Sequence, residues 1–290
     1  MCSSDLEALF NFNEACDGWP TQFNNQSTTE FGSIVYQIWD FDDGSNSLQL
    51  NPEKQFLNAG NYEVSLVIET DKGCTDTIVH TVPVHENPVA NFTVDEVCIG
   101  AATSFTNRTI INSTLYPYQV YYNWDLNDGN SSTAEHPYHQ YDNPGMYRAQ
   151  LKVNTEEGCY DSLARWFEVY PLPNAYAGED STVVKGYAIY LQASGGKQYE
   201  WSPNESLTSP NNAITEARPM ETTTYAVRVV DTNSCINSDS VTLTVKDALL
   251  IEPSNIVTPN TNNENDTWYI NNIDSYPESL VEILDRKSVV

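Results

Sequence analysis

Basic residues are scarce in this sequence: 13 Lys and Arg stand against 40 Asp and Glu, a formal net charge of −27. A field of that sign repels phosphate backbones and anionic lipid surfaces, so nucleic-acid binding is excluded as a role for the chain as a whole. Long apolar runs are missing too, and nothing approaches the roughly 20 residues of a membrane-spanning helix. Histidine occurs only at positions 80, 85, 136 and 139, and no two cysteines form a C-x-x-C pair, so the spacing of a zinc site is lacking. There is no H-E-x-x-H, no G-x-S-x-G elbow and no Walker loop. The "SGGK" at 194–197 lacks the upstream glycine and the following Ser or Thr of a phosphate cradle, and reads as a turn. The opening "MCSSDLEALF" has neither the basic n-region nor the apolar h-region of a signal peptide. Two readings stay open at that point: a cytosolic protein, or a fragment of a longer one.

What is present is enough apolar matter for cores, 40% hydrophobic and 11% aromatic residues with 18 Tyr. At 290 residues two to four domains are expected. An internal repeat supplies the division. "IWDFDDG" (38–44) matches "NWDLNDG" (123–129), and "AGNYEVSLVIETDKGCTDTIV" (59–79) matches "PGMYRAQLKVNTEEGCYDSLA" (144–164). Trp to Tyr is 23 residues in both copies, Tyr to Cys is 12 in both, and an upstream Cys precedes a Phe by 7 in both. A weaker third copy carries Trp201, Tyr225 and Cys235, without the acidic turn and with Val184 where the others have the upstream Cys. A period of about 80 residues is one small β-sandwich per copy rather than a solenoid unit. Tyr62, Val64, Leu66 and Ile68 alternate with polar residues, as do Tyr147, Ala149, Leu151 and Val153, the period of half-buried strands. The expectation is all-β: Ig-like sandwiches in tandem, in an elongated array stiffened by prolines at "VHENPVANF" and "VYPLPNAYAG". The boundaries fall at 1–87, 88–172, 173–247 and 248–290, and every segment is acidic.

The ordered set Cys, F-x-N, W-D-F/L-x-D-G, the Tyr strand and G-C-x-D-S/T resembles the PKD domain, the polycystic-kidney-disease type of Ig-like sandwich. More narrowly, it resembles the cysteine-bearing form in surface proteins of Bacteroidetes. The last segment, "NIVTPNTNNENDTWYINNIDSYPESLVEILDR", resembles a gliding-motility-associated C-terminal domain cut short. Thr258, Pro259, Asn260, Asn265, Asp266, Trp268 and Arg286 match that family's sorting motif. The resemblance implies export by type IX secretion, that machinery as a partner, and residence in the medium or on the cell surface.

Repeat register predicts disulfides Cys16–Cys74 and Cys98–Cys159, which would place the protein in an oxidising compartment. Cys235, its partner position taken by an apolar Val184, is expected to be free or mispaired, and Cys2 free. The reduced-thiol alternative of a cytosolic protein is the lesser reading.

Asp40, Asp42 and Asp43 offer the one acidic cluster worth weighing. As a glycosidase pair, Asp40 and Asp42 would share a strand face, but the second copy has Asn127 in place of Asp42. As a calcium site they are the candidates, with Asn260, Asn265 and Asp266 behind them. As Asp-Gly turns, Asp43-Gly44 and Asp128-Gly129 need no ligand, and this reading is preferred. Asp-Thr and Asp-Ser before an apolar residue recur at Thr77, Ser162 and Ser240, either an O-glycosylation signal or the start of a repeated strand. Tyr116, Tyr118, Tyr121 and Tyr122 are candidates for an exposed sugar-binding strip. The functional expectation is a non-enzymatic adhesive or spacer stalk without cofactor, touching an extracellular polysaccharide or protein. The alternatives are an accessory region behind a protease or glycoside hydrolase domain, and a carbohydrate-binding protein.

Overall fold

The computed structural model describes residues 6–111, 119–248, 252–253 and 270–271. The chain divides into two compact units, 1–171 and 172–290. The first unit holds two sandwiches built alike. In the first, a five-stranded sheet runs in the order Ala15–Cys16, Thr75–His85, Gly60–Thr70, Ile34–Asp40, Asn46–Ser47. It faces a three-stranded sheet of Phe10–Phe12, Pro20–Asn25 and Glu53–Gln55. The second sandwich repeats this with Val97–Cys98, Tyr160–Tyr170, Gly145–Thr155, Val120–Asp125 and Ser131–Ser132 opposite Phe92–Val94, Ala102–Asn107 and Tyr138–Gln140. In the second unit, Ser181–Val184, Ile236–Lys246, Thr223–Val230 and Gln198–Ser202 form a four-stranded sheet, with Ile189–Gln192 and Ile214–Ala217 as a separate pair. The described residues contain no helix, and so among them none is long and apolar enough to cross a membrane.

The alternation expected from the sequence is the alternation found. Val64, Leu66 and Ile68 are fully buried, as are Ala149, Leu151 and Val153, and Tyr225, Val227 and Val229. Each sandwich closes on a tryptophan: Trp39, Trp124 and Trp201 are at most 1% exposed. Burial of such a ring would leave its indole N–H without water, so each donates to a backbone carbonyl further along the chain, on Gln49, Ala134 and Asn212 at 2.9–3.0 Å. In the first core Phe10 and Phe23 lie against Trp39, and in the second Phe92 and Phe105 lie against Trp124. Tyr62 and Tyr147 each donate from the phenol to the carbonyl four residues upstream, on Asn58 and Asn143, both at 2.9 Å. That bond ties the corner where the chain enters the long central strand.

The disulfide expectation fails. Cys16 is bonded to Cys159, not Cys74, with their Cα atoms 5.7 Å apart. Cys98–Cys159 is excluded by the same bond. The reason is strand length. Cys16 lies beside His85, at the end of Thr75–His85, whereas Cys74 precedes that strand's first residue. Eleven residues at about 3.3 Å each hold the two cysteines of one copy some 30 Å apart, while a disulfide needs Cα atoms within about 7 Å. Cys98 beside Tyr170 and Cys159 ahead of Tyr160 repeat the separation in the second copy. Each copy therefore carries one cysteine at each end, and the bond joins neighbouring sandwiches instead of stapling one.

Cys235 is not free either. It is disulfide-bonded, as are Cys74 and Cys98, and it is fully buried. Val184 sits at the strand position where the other copies have their upstream cysteine, beside Lys246. It is 36% exposed, not a core filler; the buried residue is its neighbour Val183. Cys2 lies outside the described residues.

Candidate functional site

The acidic turn starts where Trp39 and Phe41 point into the core and push Asp40 and Asp42 outward. Asp40 Oδ1 accepts a hydrogen bond from the Asp42 N–H at 3.0 Å, an Asx-turn. Asp42 has φ +61°, a left-handed conformation that Asp and Asn tolerate better than other non-glycine residues, and Gly44 follows at +83°. Asp42 Oδ2 then accepts from the backbone N–H of Glu63 at 3.0 Å. Asp43 Oδ1 accepts from the Ser45 N–H at 3.0 Å and from its hydroxyl at 2.5 Å.

The second copy is superimposable in its bonding. Asp125 Oδ1 accepts from Asn127 N–H at 2.9 Å, Asn127 has φ +67°, and its Oδ1 accepts from Arg148 N–H at 3.0 Å. Asp128 Oδ1 accepts from Asn130 N–H at 3.0 Å. The Asp42-to-Asn127 difference that counted against an acid pair is thereby explained. The position needs an acceptor and a left-handed backbone, and both residues supply them; it needs no charge.

A nitrogen-bearing side chain meets the carboxylate of each turn. Lys54 Nζ lies 2.5 Å from Asp43 Oδ2 and 2.8 Å from Ser45 Oγ, and its ammonium is 5.6 Å from the centroids of both Phe41 and Phe56. In the second copy His139 Nε2 stands in the same place, 2.5 Å from Asp128 Oδ2 and edge-on to Tyr141. Burial works against both carboxylates, but Lys54 and Ser45 hold Asp43 below the usual carboxylate range, and His139 and Asn130 do the same for Asp128. The calcium candidates Asp40, Asp42 and Asp43 are thus brought together, yet every one is engaged by a backbone N–H or by Lys54. Among the described residues no group of three or more His, Cys, Asp or Glu is placed to hold a metal ion. Sequence reasoning missed Lys54 and His139, although both follow their tryptophan by 15 residues.

Three further carboxylates were also missed. Asp76, Asp161 and Asp239 accept from the backbone N–H of Ala8, Ala90 and Ala177 at 2.7, 2.8 and 2.9 Å. Each pins the segment that enters its own sandwich to the long hairpin. The recurrent Asp-Thr/Ser was the visible signal; its hydroxyl residues Thr77, Ser162 and Ser240 are exposed, and the aspartate carries the repeated contact. Of the proposed tyrosine strip, Tyr121 is 53% exposed, whereas Tyr122 packs against the second core. Tyr116 and Tyr118 lie outside the described residues, as do Thr258, Pro259, Asn260, Asn265, Asp266, Trp268 and Arg286. His136 accepts at Nδ1 from the Asn107 N–H at 3.1 Å.

The joint inside the first unit is the other constructed feature. Cys16 and Cys159 are at most 2% exposed. Beside them Trp19 meets Tyr160 edge-on at 5.2 Å between centroids, and Lys152 Nζ lies 4.6 Å over the Tyr160 ring. Asp17 Oδ1 accepts from both the backbone and the side-chain amide of Asn87, at 2.8 and 2.6 Å, so the linker itself is tied to the cysteine loop.

Comparison with known proteins places the chain. A family model described as "PKD domain" matches residues 7–84 and 85–168, more than half of the sequence. Among curated proteins, the Pre-pro-metalloprotease PrtV of Vibrio cholerae is 24% identical over 171 residues, which is 56% of this chain and 18% of that protein. The Microbial collagenase of Vibrio alginolyticus is 44% identical over 59 residues, 20% of this chain and 7% of that protein. The chain thus spans less than a fifth of the curated relatives it matches. Among solved structures, the PKD1 domain of Vibrio anguillarum Epp is 34% identical, covering 29% of this chain and 96% of that one, with a TM-score of 0.27.

Proposed function

This chain belongs to the PKD-domain family, and on that premise we propose that it is a non-catalytic spacer and adhesive stalk working outside the cell. The observation that carries the reading is the fate of its acidic residues. The carboxylates of the one cluster fit for chemistry are spent on turn geometry and on Lys54, which leaves no free acid pair or ligand set there. The buried Cys16–Cys159 bond supports an oxidising, extracellular setting. Export by the type IX route rests on the resemblance of Thr258, Pro259, Asn260, Asn265, Asp266, Trp268 and Arg286 to a sorting motif, and with it a Bacteroidetes origin and the secretion machinery as partner. The adhesive contact would be to an extracellular polysaccharide or protein.

A second reading is favoured by the relatives. In the Pre-pro-metalloprotease PrtV the matched stretch is a small share of the whole, so this chain would be an accessory region of a larger enzyme. One experiment separates the two. Intact cells of the producing bacterium are labelled with antibody to residues 1–290, and the purified full-length gene product is assayed on casein, gelatin and β-glucans. Surface labelling without hydrolysis is expected, and labelling lost in an Asp266→Ala, Trp268→Ala variant supports the sorting role. Hydrolysis by the full-length product would replace the stalk with the accessory reading.

A further inference from the structure

The two sandwiches of the first unit share a scaffold but turn different outer faces to solvent. In the five-stranded sheet of the second, Ala149, Leu151 and Val153 point into the core, so the residues between them and their cross-strand neighbours point out. Strand pairing sets that face in rows. Trp166 stands opposite Arg148 at one end, and Tyr121 stands opposite Asn154 at the other. The two rows are about 20 Å apart along the strands. Between them Gln150, Lys152 and Asn123 present amides and an ammonium. Trp166 is 63% exposed and Tyr121 53%.

The fold does not require this face. In the first sandwich the cross-strand pair corresponding to Trp166 and Arg148 is Thr81 and Glu63, and the Thr81 hydroxyl donates to Glu63 Oε1 at 2.6 Å. Where the second sandwich has Lys152 opposite Asn123, the first has Val67 opposite Ile38. The first face is therefore aliphatic at its centre, with no side chain there to hydrogen-bond a ligand. The second sets an exposed indole beside a row of donors and acceptors on the same backbone.

We propose that this outer face of the second sandwich, centred on Trp166 and Arg148, binds a neutral polysaccharide laid along the strands. A pyranose ring carries a patch of C–H on one face, which packs against an aromatic ring, while the hydroxyls at its rim need hydrogen-bond partners. Trp166 supplies the ring, and Arg148, Gln150, Lys152 and Asn123 supply the partners. Charge points to a neutral chain. Arg148 and Lys152 are matched by Asp125 and Glu168 on the same face, so it has no surplus of positive charge, and a net charge of −27 repels an anionic polymer. A protein partner would want an apolar centre, whereas here the two exposed rings are separated by polar side chains. The inference rests on the adhesive reading above and names its ligand.

The test is native electrophoresis of the full chain through gels holding hydroxyethyl cellulose, mixed-linkage β-glucan or galactomannan, with alginate and gelatin gels alongside. Wild type should be retarded by at least one of the three neutral polysaccharides, and raised salt should not weaken the effect. Trp166→Ala should weaken it about tenfold, for the loss of one stacked ring. Trp166→Thr with Arg148→Glu should abolish it. That pair is the one the first sandwich carries, so the melting temperature should hold. Tyr36→Ala, on the outer face of the first sandwich, should change nothing. Equal retardation of wild type and the double variant overturns the proposal, as does retardation by alginate or gelatin alone, or by none of the gels. Antibody labelling of intact cells reports the stalk separately, so the proposal can fail while the chain is still a surface spacer.

Discussion

The Asp42 carboxylate accepts the backbone N–H of Glu63 at 3.0 Å from a left-handed backbone, 21 residues away in sequence. That contact ties the acidic turn to the central strand of the first sandwich. Asp42→Asn should therefore be close to neutral, because Asn127 performs the same task in the second copy. Asp42→Ala should lose both the acceptor and the tolerance of positive φ, at about 1–3 kcal/mol. Urea midpoints of the two variants check this, and an Asn variant as damaging as the Ala one would refute it.

The aspartates that pin the segment entering each sandwich give a second prediction. Asp161→Ala strips the acceptor from the Ala90 N–H and should cost about 1.5–3 kcal/mol, the range for a hydrogen bond to a charged group. Ser162→Ala, on the exposed face next door, should change stability by less than about 0.5 kcal/mol. Chemical denaturation followed by tryptophan fluorescence reads both.

Calcium should leave the protein's melting temperature unchanged, within about 1 °C, between excess chelator and millimolar calcium, for a site that binds only the native state would raise it. Lys54 already neutralises Asp43. A calcium-dependent rise in wild type would reopen the metal reading.

Acid should act through Asp43 and Asp128. Both folded carboxylates titrate below their ordinary value. A depressed pKa contributes stability that is complete above the unfolded value near ~3.9 and is lost as pH falls through the lower folded value. The expected loss therefore lies below about pH 4. It should become shallower in an Asp43→Asn, Asp128→Asn double variant, measured by denaturant midpoints from neutral to acid pH.

Non-reducing peptide mapping should recover Cys16 joined to Cys159. The Cys159→Ser variant should lose up to about 5 kcal/mol on the chain-entropy treatment of a loop this long, and less where the unfolded chain keeps structure. Recovery of Cys16 with Cys74 would restore the within-copy pairing.

The sequence by itself determined the strands, the sandwiches and their cores. Strand periodicity is local, so Val64, Leu66 and Ile68 announce a buried face without any knowledge of what covers it. The repeated tryptophan marked the centre of each core for the same reason. Only the tertiary structure decided which cysteines meet and which side chains answer the acidic turns. The repeat places cysteines at equal offsets whether they pair within a copy or between copies. What separates the two cases is the length of Thr75–His85 in space, which carries Cys74 to the far end of the sheet from Cys16. Lys54 and His139 share a position and a carboxylate partner but no residue type, so alignment by identity passes over them. Their role appears only when the strands Glu53–Gln55 and Tyr138–Gln140 are folded across the turn.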